Sequence, residues 1–416
     1  MIKTIKSGQR SGIVKVPSSK SQAHRALIIA ALAEDETNII CDGISKDIEA
    51  TVSCLNALGA RINIHGKVIS VFPLRKIPKG VCRLECGESG STLRFLLPLV
   101  GALGANAEFF PKGRLINRPL APLDGELIRH GMKIGKTDET ITCSGRLSGG
   151  EYRLAGNVSS QYISGLLMAL PVVGEDSTLT VTGEVQSENY IKMTEDAMKI
   201  AGLRYDKTGW SYHIPGLQKP NLPGRCIVEG DYSSASFFLC MGAFSEKGIT
   251  VSGLNPSSNQ GDKQILKLLS QFGANITPCE HGITVSKGSL KGITVDASQI
   301  PDIIPPLCVV AAAAQGETHI VNAGRLRLKE SDRIATTCAL INSLGGDARE
   351  LPEGIVIHGT GGLKGGKVDS CNDHRIAMSA ALAASICKDN VIINGAECVA
   401  KSYPRFWDED IFKDNN

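Results

Sequence analysis

No CxxC pair occurs among the thirteen cysteines of this 416-residue chain, and Cys82 and Cys86 are the closest couple. That pattern excludes the ligand spacing of a structural zinc site. An odd number of cysteines at irregular intervals fits free thiols in a reducing compartment, not a disulfide framework. Neither charge sign is in excess, since 45 Lys and Arg face 42 Asp and Glu for a net +3. Bulk charge therefore gives no reason to expect nucleic acid. Long hydrophobic runs are missing too. The longest, Leu307 to Ala314, is far short of the roughly 20 residues of a membrane span. The opening "MIKTIKSGQRSG" lacks the apolar core of a secretory signal. These absences lead us to expect a soluble, cytoplasmic protein without membrane contact. No exposed apolar seam is apparent, so monomer is the default. The length calls for two domains.

What is present is a period. Glycines that close helix-like segments stand at Gly59, Gly131, Gly202, Gly273 and Gly345, spaced by 72, 71, 71 and 72 residues. "LNALGARI", "LIRHGMKI", "AMKIAGLRY", "LLSQFGANI" and "INSLGGDA" each read as an amphipathic helix ending on a glycine cap. A second series starts on small polar or charged residues and then turns wholly apolar. Its markers Ser21, Gly90, Ser160, Ser233, Asp302 and Asp373 are spaced by 69, 70, 73, 69 and 71 residues. A helix apolar on every side is a buried helix. Between these helices, stretches such as "ITVSG" and "GIVIHG" alternate as half-buried strands do. Six equivalent units follow, an α/β protein with helices inside and sheets outside, three units per lobe.

Equivalent units present their helix N-termini alike. Each N-terminus carries unpaired N–H groups and about +0.5 of a charge, so several together make an anion site. Side chains suited to phosphate or carboxylate gather there. Lys20, Ser21 and Arg25 mark the first opening, and Gly90, Ser91 and Arg94 the second. Arg118 precedes a proline in "RLINRP", and "SSQ" supplies Ser159, Ser160 and Gln161. Asp302, then Lys329, Glu330 and Arg333 in "RLRLKESDR", His374 and Arg375 in "DHR", and Lys401 in "AKSYP" complete the set. Taken singly, a Ser or Asp at a helix start is only a cap. Cations recurring at the starts of otherwise buried helices carry a desolvation cost unless anions meet them. The presence of Asp302 and Glu330 among them suggests proton transfer on an anionic substrate. The residues themselves lead to an enzyme that binds two or more anionic groups, and spacing does not name the reaction.

The ordered stretches "PSSKSQAHRAL", "ESGSTLR", "INRP", "SSQYISGLLMALP", "EGDYSSASFFL", "IPD", "RLRLKESDRI", "NDHRIAMS" and "AKSYPRF" resemble the 5-enolpyruvylshikimate-3-phosphate synthase family of enolpyruvyl transferases over almost the whole chain. The resemblance implies a two-lobed inside-out α/β barrel of six βαβαββ repeats. Residues 1–17 and 228–416 would form one lobe, residues 18–227 the other, with the active site in the cleft. The implied substrates are shikimate 3-phosphate and phosphoenolpyruvate, with no metal or organic cofactor. Ser159, Ser160 and Ser187 would hold the shikimate phosphate, and Arg25 and Tyr190 would line the same substrate. Ser21, Gln161, Asp302 and Lys329 would hold its ring and hydroxyls. Lys20, Gly90, Arg118, Gln161, Arg333, Arg375 and Lys401 would meet phosphoenolpyruvate. Glu330 and Lys20 are implied proton donors, Asp302 the base, and His374 a support for Glu330. Glu88, Glu188, Asn189 and Arg325 depart from the family pattern. Glu88 is expected to turn away or to pair with Arg118 or Lys20.

Three alternatives share the fold or its repeat unit. The enolpyruvyl transferase acting on UDP-N-acetylglucosamine usually has Lys-Asn at the first opening, where Lys20-Ser21 stands here. RNA 3′-phosphate cyclase would need a basic surface. A non-catalytic phospholigand-binding protein would have lost its acid–base groups, yet Lys20, Asp302, Glu330 and Lys401 are all present.

Overall fold

The computed structural model describes residues 1–413. The chain folds as two compact units, one of residues 1–17 with 229–416 and the other of residues 18–228. Each has its own apolar core.

The repeat is plainest in the middle of the 18–228 unit. Strands Val81–Gly87 and Asn106–Pro111 are parallel and bracket helix Gly90–Leu103. Helix Leu123–Arg129 follows, and the antiparallel strands Lys133–Lys136 and Ile141–Ser144 complete the sheet. This is one βαβαββ unit. Gly150–Ala155 to Ser211–Ile214 repeats it, and so does Thr294–Asp296 to Gly354–Thr360. Cys82 and Cys86 lie buried in the first of these strands, and all thirteen cysteines are free.

Three repeats borrow a strand from far along the chain. Thr37–Ile40 takes its parallel neighbour from Arg225–Ile227, and Ile249–Ser252 takes its own from Gly12–Lys15. Ile2–Ile5 pairs antiparallel with Val391–Asn394 and stands where the other units have a following hairpin strand.

In each unit the apolar helices pack on one another. Helices Lys20–Leu32, Gly90–Leu103 and Ser160–Ala169 do so in the first, and Tyr232–Gly242, Ile304–Ala313 and His374–Ala383 in the second. The closest approach has a sequence cause. Pro98, inside helix Gly90–Leu103, has no N–H to give the Arg94 carbonyl. Gly165 of the neighbouring helix sits there, and a Cβ on it would be 2.6 Å from that carbonyl oxygen.

All five helix-closing glycines adopt positive φ, from +67° at Gly202 to +106° at Gly59. They differ in their surroundings. A Cβ at Gly273 would lie 2.3 Å from the Ser289 carbonyl oxygen, whereas one at Gly202 would meet nothing within 4 Å. Gly202→Ala should therefore cost only the left-handed backbone term, about 1–2 kcal/mol. Gly273→Ala adds a backbone collision worth about 1–3 kcal/mol more. Equal losses in paired denaturant melts would refute this ordering.

Candidate active site

All six marker residues lie within two positions of the start of a buried helix. Part of this is ordinary capping. Ser159 accepts from Gln161 N–H, Ser89 from Thr92 N–H, and Asp373 from Arg375 N–H. Capping leaves the cations unexplained.

In the 18–228 unit, Lys20 Nζ pairs with Asp47 Oδ2 at 2.7 Å. Ser21 stands beside it in the first helical turn, partly exposed. Arg25 has gone inside. Its Nε donates to Thr194 Oγ1 at 2.7 Å, one Nη to the Ser21 carbonyl and the other to the Tyr190 carbonyl at 2.8 Å and Ser164 Oγ at 3.2 Å. Burial lowers its pKa to about 10. Its fork meets protein oxygens and fixes the Tyr190 backbone. His24 is fully buried, and burial first, then Lys20 and Arg25, hold it far below the ordinary imidazole value. Its Nδ1 meets Thr51 Oγ1, which meets Thr92 Oγ1, each at 2.7 Å. That chain of side chains ties three helices together.

Gly90 leaves room for two guanidinium groups. A Cβ there would sit 2.9 Å from Arg118 Nη1 and 3.2 Å from Arg94 Nη1. Arg118 Nε is buried with no hydrogen-bond partner among the described residues. Gln161 is held at both ends, accepting from Arg94 Nη1 at 2.7 Å and donating to Ser91 Oγ at 2.9 Å. Ser160 is buried at the helix start. Ser187 is buried in the left-handed region, φ +56° and ψ +41°, directly before helix Glu188–Ile200. A non-glycine residue in that conformation costs about 1–3 kcal/mol and clusters at functional sites.

In the other unit, Arg333 is the hub. Its Nη1 donates to Asp302 Oδ1 at 2.8 Å, its Nη2 to Glu330 Oε2 at 2.7 Å and its Nε to Asp373 Oδ2 at 2.8 Å. Burial alone would lower its pKa, but the three carboxylates raise it above the ordinary guanidinium value. Arg333 in turn holds Asp373 below the usual carboxylate range despite complete burial. The Arg333 fork meets these three carboxylates, and its side chain is 1% exposed. Arg375 donates from Nη2 to Asp302 Oδ2 at 2.9 Å and from Nη1 to the Asp302 carbonyl at 3.0 Å. Lys329 Nζ lies 3.6 Å from Asp302 Oδ1, and burial lowers its pKa to about 8. His374 is buried, its Nδ1 4.0 Å from Asp373 Oδ1, too far for a hydrogen bond. Lys401 Nζ donates to the Asn372 carbonyl at 2.6 Å. Cys371 and Asn372 are consecutive left-handed residues there, φ +50° and +56°. Three cations, Arg333, Arg375 and Lys329, thus surround the Asp302 carboxylate.

The chain matches the family model "EPSP synthase (3-phosphoshikimate 1-carboxyvinyltransferase)" over residues 5–409. It belongs to the EPSP synthase family. The 3-phosphoshikimate 1-carboxyvinyltransferase of Clostridium acetobutylicum is 42% identical over 406 residues, spanning 96% of this chain and 94% of that one. That of Clostridium kluyveri is 40% identical over 402 residues with the same coverage. The EPSP synthase structure from Acinetobacter baumannii superposes with a TM-score of 0.80 at 26% identity, over 97% of this chain and 96% of that one.

Two of the residues that depart from the EPSP synthase pattern, Glu88 and Glu188, have neighbours of their own. Lys20 pairs with Asp47, while the Glu88 carboxylate lies over Gly113, where a Cβ would come within 2.9 Å of Oε2. Glu188 pairs with Lys192 one turn on, at 2.8 Å. The sequence reading missed Asp47 and Asp262. Asp262 is buried, bonded to Ser233 Oγ, and pushed up to about 7 by burial and by Asp302. Its only sequence signal is position, at the start of an amphipathic helix, which reads as a first-turn acid.

Proposed function

We propose that this chain transfers the enolpyruvyl group of phosphoenolpyruvate to the 5-hydroxyl of shikimate 3-phosphate by addition and elimination. The observation that carries this reading is Asp302 at a helix opening, oriented by Arg333, Arg375 and Lys329. Asp302 takes the hydroxyl proton as the oxygen attacks C2 of phosphoenolpyruvate. The C2–C3 π electrons take a proton at C3 from Glu330, with Lys20 the other donor, leaving a methyl group on a tetrahedral phosphoketal. Return of a methyl proton to the same group re-forms the double bond as the C2–O bond to phosphate breaks. Arg118, Arg375, Lys20 and Lys401 offset the phosphate charge, and each well-placed donor is worth about 3–4 kcal/mol. Ser159, Ser160 and Ser187 hold the shikimate phosphate at two helix N-termini, and Ser21, Gln161 and Lys329 its hydroxyls. The 18–228 unit carries Lys20, Gly90 and Arg118, and the other carries Asp302, Glu330 and Arg375.

Phosphate release from phosphoenolpyruvate should be seen with shikimate 3-phosphate and not with UDP-N-acetylglucosamine. Turnover with the second substrate only would overturn the proposal. Because Lys329 is protonated below about pH 8, the KM for shikimate 3-phosphate should rise as pH climbs through that value. Lys329→Arg should flatten the profile, and an unchanged profile would remove Lys329 from hydroxyl binding.

A further inference from the structure

Behind Arg118 stands a buried phenol outside the machinery assigned above. Tyr162, in helix Ser160–Ala169, is 1% exposed, and its hydroxyl donates to the Pro119 carbonyl oxygen at 2.5 Å. Burial keeps this phenol protonated, raising its pKa although Arg94 and Arg118 both act to lower it. Only the protonated form can donate to a carbonyl. The Arg94 guanidinium lies over the Tyr162 ring, 5.6 Å from its centroid, and the same Arg94 holds Gln161.

The carbonyl that Tyr162 holds belongs to the residue after Arg118. Arg118 precedes a proline and has the extended conformation that position demands, φ −72° and ψ 142°. Its own N–H donates to the Leu115 carbonyl at 3.2 Å. With its backbone fixed on both sides, the Arg118 side chain crosses Gly90 at the distance where any Cβ would collide. We propose that Tyr162 is a positioning residue for the reaction, holding the Pro119 carbonyl so that the Arg118 guanidinium stays over Gly90 to receive the anionic end of phosphoenolpyruvate. The inference rests on the function proposed above.

Tyr162→Phe removes one oxygen and keeps the ring beneath Arg94. The KM for phosphoenolpyruvate should rise about tenfold, while the KM for shikimate 3-phosphate and kcat stay within about twofold. In an Arg118→Ala background the same substitution should add nothing, since residues acting through one another are not additive. A rise in both KM values together, no rise in either, or full additivity with Arg118→Ala would overturn the assignment. Absence of turnover in the unmodified enzyme would overturn the function proposal and this one together. A normal wild type with an unaffected Tyr162→Phe would overturn this one alone.

Discussion

Glu330→Gln should bind both substrates with nearly unchanged affinity and lose about 10²–10⁴ in kcat, the usual contribution of a positioned acid–base group. Glutamine has the size of glutamate, and its amide oxygen can accept from Arg333 Nη2 as Glu330 Oε2 does at 2.7 Å. What is lost is the carboxyl group's ability to take up and release a proton, together with its charge beside Arg333. The reaction needs that proton twice, onto C3 in the addition and off it in the elimination, so both halves slow together and no phosphoketal accumulates. Calorimetric titration of each substrate, set beside steady-state turnover, separates binding from chemistry. Near-wild-type kcat would take Glu330 out of the mechanism and leave Lys20 as donor.

Arg333→Met should be the most destabilising single change in the site. It removes one buried cation and leaves Asp302, Glu330 and Asp373 facing one another, with Asp373 fully buried. Breaking a buried pair by deleting one partner costs about 3–5 kcal/mol. For a unit of this size that is a fall of about 6–20 °C in its melting transition. The pH dependence has a definite sign. Asp373 lies below its ordinary value of 3.8 in the folded chain, so it stabilises above that value and loses the contribution as pH falls through the folded value. The variant lacks this gain, so the gap between the two proteins should narrow on acidification below about pH 4. A shift under about 2 °C at pH 7 would mean that Arg333 is not the counter-charge of this cluster.

Much of this architecture is legible in the sequence because it follows from local chemistry repeated at one period. Gly59, Gly131, Gly202, Gly273 and Gly345 all take the positive φ that closes a helix, and a glycine after an amphipathic run announces that alone. The buried helices, too, declare themselves by being apolar all round while starting on Lys20 or Asp373. Partners set by folding are not legible. Lys20 and Asp47 are 27 positions apart, and Arg25 and Thr194 are 169 apart. A cation near a helix start reads the same whether its side chain stays partly exposed, as that of Lys20 does, or is enclosed by protein oxygens, as that of Arg25 is. Burial decides between the two, and burial of a single side chain is a property of the packed unit. Tyr162 escapes notice for the same reason, since inside an apolar helix it reads as core until its hydroxyl is seen at Pro119.

The borrowed strands impose an order on biosynthesis. Residues 18–228 contain all that their unit needs once Arg225–Ile227 has emerged to pair with Thr37–Ile40. The first seventeen residues must wait. Gly12–Lys15 has no partner until Ile249–Ser252 is made, and Ile2–Ile5 none until Val391–Asn394. At about 5–20 residues per second the wait is on the order of ten seconds to a minute. Throughout it a nascent chain carries two unpaired strands ahead of a folded unit, a standing invitation to pair with the wrong edge. Both strands are only four residues long, and Lys3, Lys6 and Lys15 are distributed along and beside them. Short, lysine-bearing strands are poor templates for association between chains. In this protein the N-terminal segment is made first and placed last, and its charges guard the interval.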